Sequence, residues 1–186
     1  MELLSPCGSY QHALAAFKSG ADAIYIGGKN FSARMNCENF SDDEIVKICK
    51  YAHEIGKKVY VTMNILIFQD EFDNAVRFAK TLYEAKVDGV IVQDLGLAHY
   101  LHKTMPNLPL HASTQLNCHS FEQLKALKKI GFTRVVLARE SNFKLIKEAK
   151  KLGLEVEVFV HGALCVSCSK LGFPWRGKNR VRGALH

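Results

Sequence analysis

The sequence predicts an α/β fold: a TIM-barrel-like parallel sheet with seven of the eight βα units of a closed barrel. Three observations predict it. A unit recurs in which a helical segment ends at a glycine or short turn and a brief apolar strand follows: SGADAIYIGG, EIGKKVYVTMN, EAKVDGVIVQD, KIGFTRVVLARE and KLGLEVEVFVHG. The strands are almost continuously apolar, which marks burial on both faces as in parallel sheets. Polar residues follow nearly every strand, which fits one ring-shaped site, whereas SPCGSY after the first strand lacks the glycine fingerprint of a doubly wound nucleotide fold.

Taken in order, ELLSP supplies the first strand, and Leu14 and Phe17 share one face of the helix after it. Ala23–Ile26 is the second strand. Ser41 then precedes Asp42, Asp43 and Glu44, an N-cap with an acidic first turn, before the apolar face of Ile45, Ile48 and Ala52. Cys49 lies on that pattern and reads as a buried thiol. Val59–Thr62 is the third strand, followed by helical spacing at Val76, Phe78, Ala79 and Leu82. Val90–Val92 and LPLHASTQ are the next two strands. Leu124, Leu127 and Ile130 mark another helix, and Val135–Leu137 and Val156–Val160 complete the seven. Gly20, Gly56, Gly131 and Gly153 suit helix C-termini, where a left-handed residue is needed. The pair Gly27-Gly28 reads as a tight turn rather than a phosphate loop.

At 186 residues the chain is one domain or part of one, since a complete TIM barrel needs roughly 200 to 250 residues. The hydrophobic fraction of 48% suits a buried core. There is no apolar run of membrane-spanning length and no signal-peptide pattern in MELLSPCGSY, so the expectation is a cytoplasmic protein with no membrane partner. The formal net charge is +7, but Lys170, Arg176, Lys178, Arg180 and Arg182 contribute five of those charges and no acid accompanies them. The chain therefore divides into a barrel domain over 1–169 and a basic, poorly ordered tail over 170–186.

Active sites of parallel α/β barrels lie at the C-terminal ends of the strands. That rule selects Arg34, His111, Gln115, Arg139 and His161 as candidate catalytic residues, and Asn64, Gln93, Asp94 and Glu140 as candidate substrate-binding residues. The ring carries both charge signs and suits a small polar or anionic substrate or part of a nucleotide. Each member has another reading. Gln93-Asp94 can cap the next helix, Arg139 and Glu140 can form an ion pair, and His111 can be a hydrogen-bonded core residue. His111 and Ser113 alternate, so they share a face of their strand. Cys165 and Cys168 form a CxxC, which is redox-active, half a metal site, or incidental.

Several stretches resemble the peptidase U32 family: ELLSPCGSYQHALAAFKSGADAIYIGGKNFSAR, KKVYVTMNIL, VDGVIVQDLG, LPLHASTQLN, RVVLARE and EVEVFVHGALC. Of the family signature, Glu157, Phe159, Gly162, Ala163, Leu164 and Cys165 match. Lys170 stands where a glycine is expected and Gly172 where a second cysteine is expected. The match is thus read as C-terminally truncated, or out of register, after about Ser169.

The resemblance implies a TIM-barrel catalytic domain whose full-length relatives act in tRNA or rRNA hydroxylation. A collagenase-like peptidase, as the family name implies, is the alternative. An inactive truncated remnant that binds only a ligand or partner is the third. The resemblance also implies a [4Fe-4S] cluster in full-length relatives, with Cys165 a single retained ligand and Cys168 an extra thiol outside the pattern. This chain is expected to bind no cluster stably. RNA and a small anionic co-substrate such as prephenate are the implied partners. Self-association is expected through the open edges of the first and seventh strands.

Overall fold

The computed structural model describes residues 1–33 and 38–161. Among these residues seven strands alternate with six helices. The strands are β1 (Leu4–Cys7), β2 (Ala23–Gly27), β3 (Lys58–Met63), β4 (Gly89–Val92), β5 (Leu110–Ala112), β6 (Arg134–Val136) and β7 (Glu155–Glu157). The helices are α1 (Tyr10–Lys18), α2 (Asp42–Glu54), α3 (Phe72–Glu84), α4 (Leu95–Thr104), α5 (Phe121–Ile130) and α6 (Phe143–Lys151). Short 3₁₀ turns at Gln69–Glu71 and Thr114–Leu116 lie in the loops after β3 and β5. Arg34, Cys165, Cys168 and the 170–186 tail lie outside the described residues.

Local chemistry sets the helix ends. Ser9, Ser41, Asp94, Ser120 and Asn142 each accept a backbone N–H in the first turn of the helix that follows. Ser41 and Glu44 form a full capping box, as do Ser120 and Gln123. Gly20, Gly56, Gly131 and Gly153 take φ of 98°, 68°, 116° and 71° just past helix ends, the conformation only glycine adopts without strain.

All strand pairs are parallel and the sheet order is β1-β2-β3-β4-β5-β6-β7. Sequential order with crossovers of one hand sends every helix to the same face of the sheet. That face carries the main core, with Ile24, Ile26, Val59, Val61, Val90 and Val92 packed under helix residues such as Ile45, Ile48, Leu82 and Leu101. The other face cannot be left to water, so the sheet curls around it. Ala23, Tyr60 and Ile91 form a small apolar cluster there with Leu4 and Tyr25. The curl is deep enough for Glu2, beside β1, to reach Arg134 on β6 at 3.0 Å. The result is a curled, incomplete barrel.

Two local expectations change. The expected strand Val156–Val160 starts and stops earlier, at Glu155–Glu157, because among the described residues β7 pairs only with short β6 and the register ends at Val136↔Glu157. The Gly27-Gly28 pair serves close packing rather than a tight turn. A Cβ on Gly27 would stand 2.8 Å from the Ser32 hydroxyl, and one on Gly28 would strike the Phe78 ring. Among the described residues no helix is long and apolar enough to cross a membrane.

Candidate functional site

Side chains alternate along a strand, so the inward positions can be read two residues at a time. They are Ala23, Tyr25 and Gly27 on β2; Lys58, Tyr60 and Thr62 on β3; Gly89 and Ile91 on β4; His111 on β5; and Arg134 and Val136 on β6. Continuing the alternation past β4 and β5 adds Gln93 and Ser113, which sit side by side because Ser113 N–H donates to the Val92 carbonyl at 2.9 Å. The lumen thus has two polar tiers separated by Ile91 and its neighbours.

The lower tier, toward the N-terminal ends of the strands, is a charged network. Glu2 accepts from Lys58 Nζ at 2.9 Å, the Tyr60 hydroxyl at 2.8 Å and Arg134 at 3.0 Å. Arg134 also holds Glu155 at 2.6 Å, lies 3.9 Å from Glu157, and stacks on the Tyr60 ring at 4.7 Å. The His111 ring packs edge-on to Tyr60 at 4.8 Å and covers Gly89, where a Cβ would meet it at 2.6 Å. Burial pushes the Glu2 carboxyl up, yet its hydrogen bonds to Lys58, Tyr60 and Arg134 outweigh that and hold it below the ordinary range. Burial, with Arg134 and Lys58 nearby, drives His111 down to about 3, so it is neutral. Burial raises Glu157 to about 7 despite Arg134.

The upper tier lies toward the strands' C-terminal ends. Thr62 Oγ1 is buried against the Ile26 carbonyl at 3.2 Å and the Ser32 hydroxyl at 3.1 Å. Gln93 is 3% exposed, and its Oε1 has no hydrogen-bond partner among the described residues. A buried amide oxygen left unpaired costs about 1–3 kcal/mol. Ser113 is also buried, and its hydroxyl accepts Gln115 N–H at 3.2 Å.

The expected site residues separate on this map. Asn64, Gln93, Asp94, Gln115, Arg139, Glu140 and His161 all follow strand ends and stand at the rim. Within that set, Asn64 Oδ1 accepts Ala33 N–H at 2.9 Å and so anchors the loop after β2. Asp94 caps α4 through Leu97 N–H at 2.8 Å and also accepts Ile67 N–H at 3.1 Å. The Arg139 guanidinium lies 4.6 Å over the Phe159 ring. Gln115 is half-buried, and Glu140 and His161 are exposed. His111 does not join them; its ring belongs to the lower tier. Glu2, Tyr60, Thr62, Arg134 and Glu155 were not anticipated. The signal was present as period-two polar residues inside apolar strands: Lys58-x-Tyr60-x-Thr62 and Glu155-x-Glu157.

The described thiols are not poised for reaction. Burial raises Cys7 and Cys118 to about 11 and Cys49 to about 12, and they lie apart on β1, α2 and the loop after β5. No three His, Cys, Asp or Glu side chains gather as a metal site among the described residues. Cys165 and Cys168, the thiols that the family resemblance connects with a cluster, lie outside the described residues.

The sequence profile of Peptidase family U32 matches residues 8–173. The chain belongs to the U32 family. Among curated relatives, this U32 chain is 42% identical to the 23S rRNA 5-hydroxycytidine C2501 synthase of Escherichia coli (strain K12), over 91% of the chain and 25% of that protein. It is 37% identical to tRNA hydroxylation protein P1 of Bacillus subtilis (strain 168), over 90% of the chain and 40% of that protein. It is 30% identical to the Collagenase of Porphyromonas gingivalis (strain ATCC BAA-308 / W83), over 90% of the chain and 43% of that protein. The chain thus spans between a quarter and a half of the length of these relatives. Its fold matches the U32 peptidase Mk0906 with a TM-score of 0.68 at 18% identity, covering 85% of this chain and 67% of the other.

Proposed function

We propose that this chain is the substrate-binding barrel of a U32 enzyme that acts in tRNA or rRNA hydroxylation. The observation that carries the reading is the 42% identity, across nearly the whole chain, to a protein named for making 5-hydroxycytidine in 23S rRNA. The upper lumen tier supports it chemically. Gln93 Oε1 is a buried acceptor without a partner among the described residues. Beside Ser113 and near Thr62 it suits the edge of a pyrimidine base, whose amino or imino group donates. Arg139, on the same rim, suits a phosphate or a small anionic co-substrate such as prephenate. The protein acts in the cytoplasm. In full-length relatives a [4Fe-4S] cluster would use Cys165 together with cysteines from further along those chains; this chain alone holds none stably. Self-association would run through β1 and β7, the outer strands of the sheet among the described residues.

The test is mass spectrometry of nucleosides from tRNA and 23S rRNA of the source cell, with and without the gene. A hydroxylated pyrimidine should vanish on deletion and return with the gene. An unchanged nucleoside profile would overturn the reading. Anaerobic reconstitution of the purified chain with iron and sulfide tests the cofactor part: a stoichiometric cluster bound through Cys165 would refute it.

The relative named Collagenase favours a second reading, peptide hydrolysis. The described side chains argue against it. The thiols are held protonated by burial, and His111 is neutral and packed between Tyr60 and Gly89. Gelatin incubated with the purified chain should stay intact; cleavage abolished by Gln93→Ala would reverse the ranking.

A further inference from the structure

The outer wall of the barrel is electrostatically lopsided. Helices α1 to α4 carry six Lys/Arg (Lys18, Lys47, Lys50, Arg77, Lys80, Lys103) and six Asp/Glu, so that side is neutral. Helix α5 carries Lys125, Lys128 and Lys129 against Glu122 alone, and α6 carries Lys144, Lys147, Lys150 and Lys151 against Glu148 alone. All seven lysines are exposed. Lys125 pairs with Glu122 at 2.9 Å and Lys128 donates to the Gly153 carbonyl at 3.3 Å. The other five form no ion pair among the described residues.

Helix electrostatics accounts for part of this pattern. Lys128, Lys129, Lys150 and Lys151 sit in last turns, where cations complement the dipole. It does not account for Lys144, the second residue of α6, where a cation opposes the dipole. Nor do the last turns of α2 and α3 contain a lysine or arginine. The two basic helices pack side by side. Nine or ten residues at 1.5 Å rise and neighbouring axes 8–10 Å apart spread the charges over about 14 by 10 Å. That matches several consecutive phosphates. Lysine is a flexible point charge that neutralises phosphate without reading bases. Both helices begin at the rim: α5 follows the loop of Ser113 and Gln115, and α6 follows Arg139.

We propose that the α5–α6 wall docks the phosphate backbone of the substrate RNA and delivers the strand to the rim. The proposal rests on the RNA reading above and assigns it a surface. Its occupant is nucleic acid, bound without sequence preference on this face.

The experiment compares the full chain with a variant carrying Lys129→Gln, Lys144→Gln, Lys147→Gln, Lys150→Gln and Lys151→Gln, and with a control carrying Lys18→Gln, Lys47→Gln and Lys50→Gln. Anisotropy of a labelled 30-nucleotide single-stranded RNA and of a tRNA transcript is read between 50 and 200 mM salt. Five phosphate contacts give a slope of log K on log salt of about −3.5. The five-lysine variant should lose at least tenfold in affinity at 50 mM salt and most of that slope, with an unchanged melting curve; the control should stay within twofold. Equal binding by the variant and the parent chain would overturn the surface and leave the RNA reading standing. Failure of the parent chain to bind either RNA would overturn both. Lysine-dependent binding of polyglutamate with no binding of RNA would make the wall a protein-docking face and also overturn the proposal.

Discussion

Arg134 shows how one residue can organise a barrel interior. Its side chain is 10% exposed and is shared by Glu2, Glu155 and Glu157, while Tyr60 takes its flat face. Removing the cation of a fully buried pair costs about 3–5 kcal/mol, but Glu155 is 66% exposed and water relieves part of that cost here. Arg134→Met should therefore lower stability by about 1–3 kcal/mol in urea unfolding, although it keeps the apolar stem; a loss under about 0.5 kcal/mol would show that the network contributes little. Gly89 depends on the same cluster. A methyl there meets the His111 ring at 2.6 Å, and that ring is already held against Tyr60. Gly89→Ala should cost about 1–3 kcal/mol by overpacking. Pairing it with His111→Ala should restore part of the loss. In the upper tier, Gln93→Leu should leave the fold intact or firmer while abolishing ligand binding, because it replaces an unpaired acceptor with an apolar group of similar volume.

At the scale of the element, caps and glycines do most of the local work. The Ser41–Glu44 box satisfies two orphan N–H groups of α2. Ser41→Ala should cost about 1 kcal/mol, read as a shift of the urea midpoint with unchanged slope. Helix α2 was legible in sequence for this reason: SDDE announces its start, Ile45, Ile48 and Ala52 its buried face, and Gly56 its end. The strands were legible as apolar runs. Which residues each strand turned inward was not, because a run apolar on both faces has no visible period. Only the odd polar positions betray it, at Tyr60, Thr62 and His111.

For the whole molecule, the lower tier couples stability to pH above about 4.5 through two groups with opposite signs, Glu2 being ionised there in both states. Glu157 is raised from 4.5 to about 7 on folding, so its contribution is full below about 4.5 and is lost as pH rises through 7. His111 is lowered from 6.5 to about 3, so its contribution is present above 6.5 and is lost as pH falls toward 3. Between about 4.5 and 6.5 one group takes up a proton on folding while the other releases one, and the two slopes cancel. Urea unfolding of the parent chain should be nearly flat across that window. Glu157→Gln leaves His111 unopposed, so stability should fall on acidification by up to about 1.4 kcal/mol per pH unit. An equally flat profile in the variant would show that the two groups are not balanced this way.

The repeated turn–strand unit was sufficient, by itself, to determine the class, the parallel sheet and its seven units, because these follow from local periodicity and connection handedness. It also placed Asn64, Gln93, Asp94, Gln115, Arg139, Glu140 and His161 after strands, and hence at one rim. The tertiary structure decided what those residues do there. Asp94 is occupied in capping and Asn64 in holding a loop, while Gln93 has an acceptor with no partner among the described residues. It also decided that His111 faces the lower tier rather than the rim, and that Glu2 reaches across the curl to Arg134, 132 residues away. The physical reason is the curl itself. Side-chain alternation is a property of one strand, but which tier a side chain enters depends on strand stagger and on how tightly seven strands bend around a shared interior.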